Sequence, residues 1–157
     1  MGAARETGFK TQFPAVSTSN LVQMVNVWII DDEIDWVKDM VKFWKLKAPD
    51  APFRYKVFET AQEALSALES LPVSSVTRPD VVIVDGHLRS DSGALSHGNN
   101  VVERIREFAP VAEPHIIAWS ADPFAAADMM AARADAEFSK TGPRQVLDYM
   151  LRECGEL

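Results

Sequence analysis

The sequence predicts an α/β fold, a five-stranded parallel sheet with helices on both faces, and three observations carry that reading. Short β-rich runs alternate five times with segments of helical periodicity, a pattern that implies parallel strands joined by right-handed crossovers. Two of the runs, VNVWII and VVIV, are close to continuously apolar, as strands buried on both faces are. Finally, the strands run into polar side chains: Asp31 and Asp32 after the first, Asp85 after the third, Ser120 after the fourth and Lys140 after the last. In open sheets of this class ligands bind beyond the carboxyl ends of the strands, at a switch in strand order.

The elements follow in order. Val25, Val27, Trp28, Ile29 and Ile30 form the first strand, stopped by the acidic pair. EIDWVKDMVKFWKLKA places Val37, Met40, Val41 and Trp44 at helical spacing, with lysines and aspartates between them. Pro49 and Pro52 interrupt the chain, and FRYKVFE alternates as a half-exposed strand does. TAQEALSALESL opens with Thr60 as N-cap and Glu63 three residues on, the spacing of a capping box. PDVVIVDG is the third strand. A Gly/Ser/Asn-rich loop from Gly86 to about Asn99 precedes the helix NNVVERIREFA. HIIAWSAD is the fourth strand, and DPFAAADMMAARA a helix with Pro123 in its first turn. AEFSK and PRQVLDYMLREC supply the last strand and helix.

The bulk properties exclude several classes. A chain of 157 residues is the size of one well-cored domain. A net charge of −7 argues against a nucleic-acid or anionic-membrane surface. One cysteine, Cys154, cannot form an intrachain disulfide and suits a reducing compartment. No apolar run approaches the roughly 20 residues of a membrane span, and the first twenty residues lack a hydrophobic signal core. The expectation is a cytoplasmic protein with a flexible N-terminal extension over 1–23 and one domain over 24–157.

Carboxylates meeting at two neighbouring strand ends repel one another unless a cation lies between them. An all-oxygen donor set open to water suits Mg²⁺. Such a site lets Asp85 attack phosphorus as a carboxylate nucleophile, while Lys140 and the Ser120 hydroxyl contact phosphoryl oxygens. Each residue also has an ordinary structural role open to it. Asp31 and Asp32 can form a turn and helix cap, Asp85-Gly86 is a turn signal, Ser120 can cap the following helix, and Lys140 can simply be solvated. The conjunction of all of them at strand ends is what points to a site.

From Asn26 to about Arg152 the sequence resembles the receiver domain of two-component response regulators, the CheY-like family. VNVWIIDDE is similar to that family's first strand and acidic pair, PDVVIVDGHL to the strand bearing its phosphoacceptor, IIAWSAD to the strand ending in its switch Ser/Thr, and AEFSK to the strand ending in its lysine. HGNNVVERIRE is similar to the opening of the third helix. The resemblance implies a flavodoxin/CheY-like (βα)5 fold with strand order 2-1-3-4-5. It implies phosphorylation of Asp85 by a sensor histidine kinase, a phosphotransfer protein or a small phosphodonor. It also implies Mg²⁺ held by Asp31, Asp32, Asp85 and the backbone carbonyl of His87, with Ser120 and Lys140 on the acyl phosphate. Output in this family runs through the face formed by the fourth helix, fifth strand and fifth helix, which would act on a downstream protein, a fused output domain not present in this chain, or a second copy in a homodimer. Nucleic acid is not an expected direct partner.

Departures from the family pattern matter too. Glu137 stands three before the lysine, where receivers carry an aromatic, and Phe138 is one position on, facing the other side of the strand. Thr141 follows Lys140 where a proline is usual, so a trans peptide is expected there, because cis costs about 2.5–4 kcal/mol before a residue other than proline. Arg89 replaces a proline in a loop longer than typical. His87 and Asp122, two residues past Asp85 and Ser120, flank the expected path of hydrolytic water. Two other readings remain open: a receiver-like binding module that works without phosphorylation, and a haloacid-dehalogenase-type phosphatase. The second is disfavoured because His87 occupies the place of that class's acidic residue two beyond the nucleophile.

Overall fold

The computed structural model describes residues 23–108 and 113–155. The expected extension over 1–23 therefore lies outside the described residues except for Gln23. In chain order the elements are β1 (Val25–Ile30), α1 (Ile34–Lys47), β2 (Phe53–Phe58), α2 (Ala61–Ser70), β3 (Val81–Asp85), a 3₁₀ turn (Gly93–Ser96), α3 (Gly98–Phe108), β4 (His115–Trp119), α4 (Pro123–Ala131), β5 (Ala136–Phe138) and α5 (Pro143–Glu153). The strands pair in the order β2-β1-β3-β4-β5, all parallel. The chain moves outward from β1 to β2 and then crosses to β3, so the switch in strand order lies between β1 and β3.

The side-chain period of two explains why the central strands read as unbroken apolar runs. Trp28, Ile30, Val82, Val84 and Ile116 face α2, α3 and α4, where they meet Leu65, Val101, Ile105 and Met129. Val27, Ile29, Ile83 and Ile117 face α1 and α5, where they meet Val37, Trp44, Val146 and Met150. Both faces are covered, so there is no polar alternation to see. β2 lies at the edge and does alternate, with Arg54 and Lys56 exposed and Tyr55 and Val57 half-buried between buried ends. Cys154 is buried and unpaired, and burial pushes its thiol up to about 11, which makes it a packing group.

Helix starts follow the sequence chemistry. Thr60 Oγ1 accepts from the Glu63 amide at 3.1 Å, and Asp122 accepts from the Phe124 amide at 2.9 Å with Pro123 in the first turn of α4. The stretch expected to be one long loop from Gly86 to about Asn99 is more ordered than that. It contains the 3₁₀ turn and an antiparallel bridge between His87 and His97, and α3 begins at Gly98. The reason is a close approach: the Gly98 amide donates to the Gly86 carbonyl at 3.0 Å. A Cβ at 98 would lie 2.4 Å from the Asp85 carbonyl oxygen and 2.7 Å from Met129 Sδ. The start of α3 is thus seated directly on the end of β3.

That contact predicts the effect of Gly98→Ala. Overpacking against backbone should destabilise the protein by about 1–3 kcal/mol, read as a lower urea midpoint; an unchanged midpoint would show that the β3 end can yield.

Candidate functional site

Register brings the strand ends to one level. Ile30 pairs with Val84, and Asp85 pairs with Trp119, so Asp31, Asp85 and Ser120 emerge side by side. All three are buried, with Asp31 fully inaccessible. Lys140, two residues past β5, turns back across these ends. Its Nζ lies 2.8 Å from Asp31 Oδ2, 3.1 Å from Asp85 Oδ2 and 3.4 Å from Glu33 Oε1. Asp32, Asp85, His87, Ser120, Asp122 and Lys140 line a shared pocket of about 460 Å³. Every strand-end residue singled out in the sequence is therefore in one place. A larger cavity of about 780 Å³ lies at the opposite ends of the strands, around Arg54, Arg78 and Asp80; among the described residues, the carboxylate cluster able to hold a metal lies in the strand-end pocket instead.

Carboxylate oxygens of Asp31, Asp32, Glu33 and Asp85 all lie within 4.8 Å of one another. Four carboxylates and one ammonium leave a formal charge of −3. Burial pushes the Asp85 carboxyl up, the Asp31 charge adds to it, and Lys140 opposes both, for a value raised from the ordinary 3.8 to about 6. For Lys140 burial works downward, but contact with Asp31 and the charges of Asp85 and Asp31 outweigh it, and its pKa is raised. Asp31 Oδ1 accepts from the Glu33 amide at 2.9 Å. Asp31 Oδ2 is buried, and its partner among the described residues is the Lys140 ammonium at 2.8 Å. An excess of negative charge and an all-oxygen donor set are what a small divalent cation requires. The residues present fit Mg²⁺.

The remaining groups frame the pocket. Ser120 Oγ accepts from the Asp122 amide at 3.0 Å, which leaves the hydroxyl hydrogen available for donation. A Cβ at Gly86 would lie 2.6 Å from Ser120 Oγ, so only glycine lets β3 and β4 close up here. His87 Nε2 and Asp122 Oδ2 are 3.0 Å apart and span the pocket mouth. The bond to His87 and then that from the Phe124 amide hold the Asp122 carboxyl below its usual range. The Lys140–Thr141 bond is trans, as expected. Phe138 is half-buried and meets Tyr149 edge-on at 5.3 Å, on the core side as expected, whereas Glu137 is exposed beside a groove at Ser120 and Pro123.

Sequence reasoning missed three contributors. Glu33 follows the acidic pair directly, so its adjacency was a usable signal. Trp36 lies under Lys140, with its ring 5.0 Å from Nζ and 4.7 Å from the Trp119 ring. Nothing local in the sequence marks that pairing, because the two residues are distant along the chain. Asp32 Oδ2 accepts from the backbone amides of Arg89 and Ser90, at 2.6 and 3.2 Å, and backbone donors leave no trace in residue identity.

No family model and no curated protein matches this sequence. Solved structures do. A CheY-like response regulator receiver domain protein from Methanospirillum hungatei JF-1 is 17% identical with a TM-score of 0.63, covering 83% of this chain and 93% of that one. The BeF3-activated receiver domain of DrrB, a Thermotoga maritima protein, is 20% identical with a TM-score of 0.61, covering 82% and 96%. A response regulator protein from Burkholderia pseudomallei, with a phosphorylated aspartic acid, calcium ion and citrate, is 15% identical with a TM-score of 0.56, covering 83% and 75%. The chain has the CheY-like receiver fold.

The raised Asp85 pKa sets a pH dependence. A carboxyl whose folded pKa exceeds its unfolded value stabilises the fold fully only below about 4, and that contribution is lost as pH rises through about 6. In chelator, Asp85→Asn should therefore stabilise the protein at pH 7.5 by about 1–3 kcal/mol. The gain should shrink as pH falls below about 6. Thermal melts across pH check this, and a gain independent of pH would contradict it.

Proposed function

We propose that this chain is a phosphoacceptor switch: Asp85 takes a phosphoryl group from a phosphohistidine of a sensor kinase or phosphotransfer protein, or from a small acyl phosphate. The observation that carries the reading is the convergence of Asp31, Asp32, Asp85, Ser120 and Lys140 on one pocket. With a pKa near 6, Asp85 is mostly ionised at neutral pH and available as a nucleophile. Its carboxylate oxygen forms a bond to phosphorus while the phosphorus–donor bond breaks and the leaving group keeps the electron pair. Lys140, already 3.1 Å from Asp85, carries a charge to the incoming phosphoryl oxygens, and the Ser120 hydroxyl has a hydrogen to donate. Asp31, Asp32, Asp85 and the His87 carbonyl would hold Mg²⁺, which supplies charge neutralisation for the phosphoryl group. The work done is positioning and electrostatics, without turnover of a substrate. A single buried free cysteine is in keeping with a cytoplasmic setting, and residues 24–157 act as the receiver unit.

Phosphorylation-independent docking is favoured by one specific observation. Glu137 replaces the aromatic that the family pattern couples to the Ser/Thr, and the groove beside Ser120, about 350 Å³, is open. If phosphorylation occurs, its output does not depend on an aromatic at 137. The α4-β5-α5 face remains the proposed docking or homodimer surface for a downstream protein.

Incubation with acetyl phosphate and Mg²⁺ should add one phosphoryl group per chain by mass, change Trp36 fluorescence, and do neither in Asp85→Asn. No adduct in the wild type would favour the docking module, and steady hydrolysis of phosphomonoesters would favour the phosphatase. The His87–Asp122 pair acts as a barrier at the mouth, since both Asp122 oxygens are already engaged. His87→Ala, which leaves the α4 cap intact, should speed loss of the phosphoryl group a few-fold, about 1 kcal/mol of barrier. An unchanged lifetime would remove that role.

A further inference from the structure

We infer that Asp91, in the loop between β3 and α3, is a positioning residue for the cation pocket, acting through the backbone that grips Asp32. The inference rests on the reading of that pocket as a Mg²⁺ site. A surface loop of this length would ordinarily be loosely held. This one is anchored at its base, where the Leu88 amide donates to the Ser96 carbonyl at 2.9 Å, and by the Leu88 side chain, which is buried in the core. Its far anchor is Asp91. The two carboxylate oxygens accept from the Ala61 and Gln62 amides, at 2.7 and 3.1 Å. Those are the first two amides of α2, which have no partner within the helix, and Thr60 serves only the third. A carboxylate on the positive end of a helix makes a strong, charge-assisted clamp.

Arg89 and Ser90 lie between the buried Leu88 and the clamped Asp91, and both of their amides converge on Asp32 Oδ2. Two donors on that oxygen restrain the carboxylate that Asp32 brings to the acidic cluster. Groups that orient a ligating carboxylate govern metal affinity although they never touch the ion. Asp91 thus links the start of α2 to the pocket through three consecutive residues. Reciprocity requires the converse: a bound cation must tighten the loop and the first turn of α2. The beginning of α2 then reports pocket occupancy, a route that does not use position 137.

The test is calorimetric titration of Mg²⁺ alone into wild type, Asp91→Ala, Asp91→Asn and Thr60→Ala, with amide hydrogen exchange on each. Asp91→Ala should bind about tenfold more weakly, the low end of what loss of an orienting contact costs. The Arg89 and Ser90 amides should exchange faster in that variant. Asp91→Asn, which keeps one acceptor oxygen, should fall between it and wild type. Thr60→Ala weakens the same helix start without touching the loop and should bind Mg²⁺ as wild type does. In wild type, Mg²⁺ should slow exchange at Ala61 and Gln62. Equal affinities for wild type and Asp91→Ala would overturn the positioning role while leaving the Mg²⁺ site intact, as would an equal loss in Thr60→Ala. A wild type that does not bind Mg²⁺ would overturn both readings together.

Discussion

Everything at the carboxyl edge of the sheet depends on how two buried carboxylates are balanced. Asp31 and Asp85 are drawn out of water by the two central strands, and one ammonium, Lys140, lies between them at 2.8 and 3.1 Å. An isolated buried carboxylate is very costly, and a pair is worse unless a cation intervenes. Lys140 offsets part of this, and the Trp36 ring beneath it keeps the ammonium in place by a cation–π contact. It cannot offset all of it, because Asp32 and Glu33 bring further negative charge to the same few ångströms. The residual imbalance is the physical reason to regard the pocket as built for something positively charged that the side chains alone do not provide.

Holding such an arrangement requires backbone precision, and the fold supplies it with small residues and paired amides. Gly86 lets β3 approach Ser120, and Gly98 lets α3 start against the Asp85 carbonyl. Trp119 Nε1 donates to the Ser139 carbonyl at 3.2 Å, fixing the turn that carries Lys140. At the opposite end, Arg106 is buried with Asp135 at 3.0 Å and ties α3 to the loop before β5. The pocket end of the sheet is joined mostly by short connections, apart from the long one between β3 and α3.

Much of this was legible in the residues. The central strands could be read because burial on both faces forces a continuous apolar run, and the helix starts because Thr60 and Pro123 have few other uses. Asp31, Asp85, Ser120 and Lys140 were legible through topology, since a parallel alternating chain must gather its strand ends. The order within the loop from Gly86 to His97 was not legible. It depends on amides of Arg89 and Ser90 meeting Asp32, and on Asp91 meeting a helix start thirty residues earlier. Trp36 was hidden for the same reason: its helical spacing suits core packing as well as it suits a site. Sequence patterns report what a residue's own element needs, and these contacts belong to the meeting of different elements.

The central claim, that the charge imbalance at β1 and β3 defines a divalent-cation site, is tested most directly with Mn²⁺ as a paramagnetic probe in amide NMR. The account predicts that substoichiometric Mn²⁺ broadens the amides of Asp32, Glu33, Gly86 and His87 first, that excess Mg²⁺ reverses the effect, and that the amides of Arg78 and Asp80 at the other end of the sheet stay sharp. Broadening centred on that opposite end, or none at the pocket, would contradict it.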